Sequence, residues 1–97
     1  MRKRRRLSPQ GVLVLGLFVS DPAKRRFGLE IIRESGIPSG VLYPILHLLE
    51  QRKILLSAWE GQEAAARAGR RPRREYWLDQ SQLQAAHDAL RKATPVP

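Results

Sequence analysis

Arginines cluster at two places in this sequence, and their chemistry points to a phosphate-rich partner. Four of them fall within five positions: Arg70, Arg71, Arg73 and Arg74. Three more belong to the basic run at the start of the sequence: Arg4, Arg5 and Arg6. A guanidinium group presents a planar fork of donors that matches phosphate oxygens and guanine edges. Both clusters are therefore candidate contacts to a nucleic acid.

The charge of the whole chain agrees with this interpretation. The 97 residues include 18 Lys and Arg against 9 Asp and Glu, a formal net charge of +9. Such a surface attracts polyanions, namely DNA, RNA or an acidic membrane. The apolar run over residues 11–19 is too short to span a bilayer and lacks a signal-peptide cleavage site, so it predicts a buried helix. We expect a cytoplasmic protein that does not bind membranes.

The residue types of this chain give little support for an enzyme. The chain has no cysteine, which excludes disulfides, thiolate metal sites and a cysteine nucleophile. Its two histidines, His47 and His87, fall on separate predicted helices, and no carboxylate cluster has metal-ligand spacing. We expect a protein that is not an enzyme and that has no cofactor or metal. A small-molecule effector is compatible with the sequence but has no support in it.

The elements that must position the arginines form one mainly helical domain over residues 8–93, with a small antiparallel β-hairpin. Caps, breakers and apolar periodicity predict five elements: helix 8–19, helix 27–35, helix 39–53, hairpin 54–78 and helix 81–92. The second and third helices, joined by a short turn that contains glycine, form a helix-turn-helix. Residues 1–7 predict a disordered basic arm with nothing to bury, and residues 94–97 a flexible tail.

The hairpin completes a winged helix-turn-helix, because it follows the helix-turn-helix and carries the arginine cluster. Residues 54–60 and 73–78 predict its two strands, and residues 61–72 predict a long loop between them. Long loops in compact domains are usually functional or disordered, and the arginines favour a functional loop. We interpret Trp59 and Trp77 as core or dimer-packing residues rather than as a ligand site.

The third helix carries the other candidate contacts to DNA. The major groove is about 12 Å wide and admits one helix. The candidate DNA-binding residues of this helix are Ser39, Gly40, Tyr43, Pro44 and His47. The arginines of the hairpin would follow the backbone or enter the minor groove, and the basic arm has the same option on the other side. Alternatively, Tyr43 and His47 are surface residues that do not contact DNA.

The first helix is apolar nearly all round, which predicts that more than one neighbour covers it. A chain of this length buries roughly 60–65% of its unfolded surface, so a second subunit would add stability. We therefore expect a homodimer formed by the first and last helices. The predicted dimerisation residues are Val12, Leu15, Val19, Leu83, Ala86 and Leu90.

Three segments resemble the PadR-type regulators. Residues 27–32 read Phe-Gly-Leu-Glu-Ile-Ile and resemble the second helix of that family. Residues 36–50 read Gly-Ile-Pro-Ser-Gly-Val-Leu-Tyr-Pro-Ile-Leu-His-Leu-Leu-Glu and resemble the recognition region of that family. Residues 69–78 read Gly-Arg-Arg-Pro-Arg-Arg-Glu-Tyr-Trp-Leu and resemble its wing. The resemblance covers residues 11–78 and implies a winged-helix transcription factor, often a repressor, that is dimeric through its terminal helices. It also implies that Tyr43 and the wing arginines touch DNA, although Lys53 replaces a frequent turn glycine.

Two functions follow from these features and remain open at this point. The first is a sequence-specific regulator of transcription that binds double-stranded DNA as a homodimer, and we expect it to act as a repressor. The alternative is a winged-helix module that binds protein or RNA without sequence-specific DNA binding, because a fold does not imply a function.

Overall fold

The computed structural model describes residues 6–93 as a small three-stranded sheet surrounded by helices. The helices are α1 (Pro9–Ser20), α2 (Gly28–Ser35), α3 (Ser39–Gln51), α4 (Gln62–Arg67) and α5 (Leu83–Ala93). The strands are β1 (Arg26–Phe27), β2 (Leu55–Trp59) and β3 (Arg74–Leu78), and a short 3₁₀ turn (Gln80–Gln82) precedes α5. The mainly helical winged-helix architecture expected from the sequence is confirmed. No helix in residues 6–93 is both long and apolar enough to cross a membrane.

Helix α1 begins where the sequence predicts it. The Ser8 hydroxyl accepts a hydrogen bond from the Gly11 N–H at 3.0 Å, which satisfies one of the free donors at the start of the helix. Phe18 is fully buried, whereas Leu13 on another side of the helix is 58% exposed. A single chain therefore covers only part of this apolar helix.

The helix-turn-helix has the predicted inner face. Gly36 ends α2 in the left-handed conformation, with φ of 75°, and its N–H donates to the Ile32 carbonyl at 2.8 Å. The stripe at i, i+3, i+4 and i+7 of α3 is buried as expected and consists of Leu42, Ile45, Leu46 and Leu49. Helix α3 ends at Gln51, two residues before the predicted end, because the chain turns sharply at Lys53, with φ of 63°.

The sheet has one strand more than the predicted hairpin. Its order is β1-β3-β2 and all pairs are antiparallel, with Arg26 opposite Tyr76 and Leu55 opposite Leu78. Strand β1 contains only two residues, which is too short to show the alternation of apolar and polar residues that marks a strand.

The prediction of a loop over residues 61–72 is wrong in its first half. Residues Gln62–Arg67 form α4, which is rich in alanine, glutamate and arginine, all strong helix formers. Ala65 is fully buried, and its carbonyl accepts the Arg70 N–H at 3.1 Å. The basic segment that follows α4 is therefore attached to the domain by a helix.

The core corrects two other predictions. Leu7 is only 7% exposed and packs in the core, so the expected disordered arm does not include it. Leu15 and Ala86 are fully buried within the single chain, so they are core residues and cannot form the surface of a dimer. Val12, Val19, Leu83 and Leu90 are partly buried and pack at the edge of the core. Residues 1–5, with Arg4 and Arg5, and residues 94–97 lie outside the described part of the chain.

Candidate nucleic-acid interface

The outer side of α3 presents all five candidate residues to solvent. They are Ser39, Gly40, Tyr43, Pro44 and His47, and each is exposed. This side is exposed because the buried leucine and isoleucine stripe holds the opposite side of α3 against the core. The helix is 13 residues long, so it presents a rod of about 20 Å.

Tyr43 lies against the start of α2 and still exposes 45% of its surface. A Cβ atom built on Gly28 would lie 2.6 Å from the Tyr43 hydroxyl oxygen, which is closer than real contacts allow. Glycine at position 28 therefore lets the tyrosine ring approach the backbone of α2. The contact holds the ring on the outer side of α3.

Glu60 organises the arginine segment of the wing. Both terminal nitrogens of Arg70 donate to the Glu60 carboxylate, one of them at 2.8 Å. The backbone N–H of Arg73 also donates to Glu60, at 3.3 Å, and the Arg73 guanidinium lies 3.8 Å from it. The hydrogen bonds from Arg70 lower the pKa of Glu60 from 4.5 to about 2. The carboxylate is therefore ionised at neutral pH and holds two of the predicted DNA contacts within the wing.

A second carboxylate connects the wing to α3. Glu50 lies near the end of α3 and accepts a hydrogen bond from the Ser57 hydroxyl at 3.0 Å. The Arg74 guanidinium lies 3.7 Å from Glu50, so α3 and both long strands meet at one side chain. Arg71 is exposed, and no ion pair involves it within residues 6–93.

An open cavity of about 590 Å³ lies between the start of α2, the outer side of α3 and the wing. It is lined by Phe27, Gly28, Leu29, Tyr43, Trp59, Arg73, Arg74 and Tyr76. The Arg73 guanidinium lies 3.7 Å above the Phe27 ring and is oriented by this contact. The exposed tyrosine of α3 and two arginines of the wing therefore face the same space, although 30 residues separate Tyr43 from Arg73 in the sequence.

The sequence interpretation did not assign Trp59, Glu50 or Glu60 to this surface. Trp59 is 66% exposed and is not a core residue. Glu50 and Glu60 form ion pairs with arginines of the wing that are distant in the sequence, and no local sequence pattern predicts such pairs. Trp77 is half-buried beneath Arg25, whose guanidinium lies 4.0 Å from the centre of the ring.

The two histidines lie on different helices. His47 belongs to the outer side of α3, and His87 is exposed on α5. No group of three or more His, Cys, Asp or Glu side chains placed to hold a metal occurs in residues 6–93.

Comparison with solved structures identifies the fold. A crystal structure of a PadR family transcriptional regulator from Eggerthella lenta matches 86% of this chain and 72% of its own, with a TM-score of 0.64 and 20% identity. The protein has a PadR-like winged-helix fold. The circadian clock associated protein Pex from Anabaena shares this PadR-like fold over 87% of this chain and 76% of its own, with a TM-score of 0.59 and 23% identity.

Pex from Synechococcus gives a similar result. It matches 92% of this chain and 81% of its own, with a TM-score of 0.61 and 23% identity. No protein-family model matches the sequence, and a search of curated proteins gives no match. The PadR-like fold expected from residues 36–50 and 69–78 is thus confirmed by structure.

Proposed function

We propose that this protein is a sequence-specific DNA-binding regulator of transcription that acts as a repressor. The observation that carries the proposal is that Tyr43 of α3 and the wing residues Arg73 and Arg74 line one exposed cavity. This arrangement lets α3 enter the major groove while the arginines of the wing contact the adjacent phosphate backbone. The match to a PadR family transcriptional regulator supports the same function.

In the proposed complex, α3 lies in the major groove. Ser39 and Gly40 let the start of the helix approach the duplex, and its N–H groups favour a phosphate. Tyr43 and His47 donate to a phosphate or to a base edge from the outer side of the helix. The exposed Arg71 follows the phosphate backbone, and Arg6 extends the positive surface from the other end of the chain.

We propose that two chains associate through the outer sides of α1 and α5. Leu13 supplies the exposed apolar surface of this interface, and the partly buried Val12, Val19, Leu83 and Leu90 lie around it. A two-fold dimer of this kind reads two half-sites roughly 34–36 Å apart, or a multiple of that distance.

Gel-shift titrations with fragments of the DNA upstream of its own gene test the proposal. Specific binding survives an excess of unrelated competitor DNA and weakens with salt, with a log–log slope of about −0.9 per neutralised phosphate. Selection of bound fragments from random DNA then gives the operator, its symmetry and the half-site spacing. Equal affinity for operator and competitor would leave only non-specific binding and refute the proposal.

A further inference from the structure

Trp59 is the most exposed large apolar side chain in residues 6–93, and its position in the sheet explains why. It pairs with Arg74 at the end of the β2–β3 ladder. The pairs Leu55–Leu78 and Ser57–Tyr76 lie on the same face of the ladder, where Leu55, Leu78 and Tyr76 are buried. The last pair extends beyond the core, so the indole ring is exposed at the wall of the cavity beside α3. The Arg74 guanidinium lies 5.5 Å from the centre of the ring, so the stacking surface and a positive charge are next to each other.

The cavity has the size and lining of a small-molecule site. Its volume of about 590 Å³ falls within the range of roughly 300–1,000 Å³ that is typical of such sites. Four aromatic side chains contribute to its wall: Phe27, Tyr43, Trp59 and Tyr76. Exposed aromatic rings bind planar ligands by stacking, and Trp59 offers the most accessible ring. Trp59 also borders a second cavity, of about 550 Å³, beside Arg71.

The charge around the cavity favours an anionic ligand. Arg73 and Arg74 lie 3.8 Å and 3.7 Å from their carboxylates, which are ion-pair distances longer than a hydrogen bond. The Nε of Arg73 is buried and has no hydrogen-bond partner among the described residues, so it adds an unpaired donor beneath the wall of the cavity. Three arginines, with Arg70 included, share the two carboxylates Glu50 and Glu60, which leaves one positive charge uncompensated.

We propose that this cavity binds one nucleotide, whose base stacks on Trp59 and whose phosphate is held by Arg73 and Arg74. A nucleotide combines the planar ring and the anion that the lining requires. A free nucleotide and a nucleotide unstacked from DNA share this chemistry. Binding of a nucleotide unstacked from DNA rests on the proposed function, because the DNA must first bind against α3 and the wing.

Tryptophan fluorescence tests the site directly, because the chain has two tryptophans. In the Trp77→Phe variant, Trp59 is the sole tryptophan and reports on its own stacking. This variant is titrated with adenosine monophosphate, adenosine, ribose 5-phosphate, a fully paired duplex, and the same duplex with one unpaired adenine. Saturable quenching by the monophosphate identifies a site for free nucleotides. Quenching by the duplex with the unpaired adenine, without quenching by the monophosphate, identifies DNA as the source.

Two comparisons separate the contributions of the base and the phosphate. Ribose 5-phosphate, which lacks the base, should leave the fluorescence unchanged. For the free nucleotide, adenosine should bind at least about tenfold more weakly than its monophosphate, because it loses the charged hydrogen bonds.

Arg74→Ala in the same background should weaken binding of the responding ligand by a similar factor. Arg67→Ala is the matched control, since Arg67 is highly exposed on α4 and borders neither cavity.

The proposal is overturned if neither the monophosphate nor the duplex with the unpaired adenine quenches Trp59. Equal quenching by ribose 5-phosphate would also overturn it, because stacking of a base would then be unnecessary. Circular dichroism of each variant verifies that the fold is intact. If the proposed DNA-binding function is wrong, no duplex is shifted in a gel. This result is independent of whether adenosine monophosphate quenches Trp59.

Discussion

Glu60 places a negative charge in the most basic part of the chain, and its contacts show what that charge does. It accepts hydrogen bonds from the side chain of Arg70 and the backbone of Arg73, and its own N–H donates to the Arg73 carbonyl at 2.8 Å. Four arginines within five positions would repel one another without such a partner. At the scale of single residues, the wing is therefore a shared set of ion pairs rather than a row of free cations.

The low pKa of Glu60 predicts a specific loss of stability in acid. The folded pKa of about 2 lies below the ordinary value of 4.5, so the contribution of Glu60 to stability is present above pH about 4.5 and is lost as the pH falls towards 2. Glu60→Gln removes this contribution and should flatten the fall of the melting temperature between pH 5 and pH 2. Thermal unfolding followed by circular dichroism measures it.

Glu63→Gln is the control for this experiment, because the Glu63 side chain is 91% exposed and makes only a distant pair with Arg67. Its melting temperature should follow the pH in the same way as that of the unchanged protein. A Glu60→Gln variant with an equally steep acid transition would show that the ion pairs with Arg70 and Arg73 do not stabilise the wing.

Gly28 is a second residue whose role is visible only in three dimensions. Gly28→Ala puts a methyl group within 2.6 Å of the Tyr43 hydroxyl and forces the ring to move. Because alanine is a good helix former, the free energy of unfolding should change by less than about 1 kcal/mol. DNA affinity should fall by about three- to tenfold if Tyr43 donates to a phosphate. Gel shifts and urea unfolding measure the two effects separately.

The double variant with Tyr43→Ala tests the mechanism of the Gly28 effect. If Gly28→Ala acts through the ring, adding it to Tyr43→Ala should cost no further affinity. Additive losses would show that Gly28 contributes to binding independently of Tyr43.

At the scale of elements, the junction between α3 and β2 decides how α3 meets the wing. Lys53 adopts a positive φ of 63°, and the Ile54 N–H donates to the Leu49 carbonyl at 3.0 Å. This turn sends the chain directly into β2, while the Glu50 contacts with Ser57 and Arg74 fasten the end of α3 to the sheet. The angle between α3 and the wing therefore depends on a few local contacts.

Lys53→Gly should stabilise the protein, because glycine adopts the left-handed conformation without the steric cost that lysine has there. The expected gain in the free energy of unfolding is about 1 kcal/mol, reduced in part by the greater entropy of the unfolded glycine. Urea unfolding measures the change. Lys53→Ala retains the Cβ atom and should give no gain, so equal stabilisation by both variants would contradict the conformational explanation.

At the scale of the whole molecule, α1 is covered by its own chain on one side only. Its buried side packs on α3 and α5, and Leu13 on another side is 58% exposed. The predicted dimerisation residues thus divide into two groups. Leu15 and Ala86 stabilise the monomer, and the residues around Leu13 are available to a second copy.

Leu13→Glu should weaken a homodimer by about a hundredfold or more. A two-fold interface loses the leucine twice, and each buried leucine contributes about 1.5–3 kcal/mol. Sedimentation measures the change in the dissociation constant. Leu56→Glu is the control, because Leu56 is similarly exposed, at 42%, but lies on β2. Equal association of both variants would exclude α1 from the interface.

Leu15→Ala has a different expected effect, since Leu15 is fully buried in the single chain. It should lower the free energy of unfolding by about 2–5 kcal/mol, through lost burial and the cavity left behind. Urea unfolding at low protein concentration measures this loss. A stable Leu15→Ala protein that fails only to dimerise would restore Leu15 to the interface.

The amino-acid sequence by itself determined the features that depend on neighbouring residues. The Ser8 cap, the stop at Gly36 and the buried stripe of α3 depend on contacts within a few positions, so caps and periodicity predict them. The excess of arginine and the exposed outer side of α3 follow from composition and from the same periodicity.

Only the tertiary structure decided which of these features meet. The two-residue strand β1 forms because β3 pairs with it, and Arg25 reaches Glu75 across 50 positions of sequence. The exposure of Trp59 and the burial of Leu15 depend on which surfaces the packed helices happen to cover. Such long-range pairings have no local period, because the free energy that selects them arises only when distant segments bury surface together.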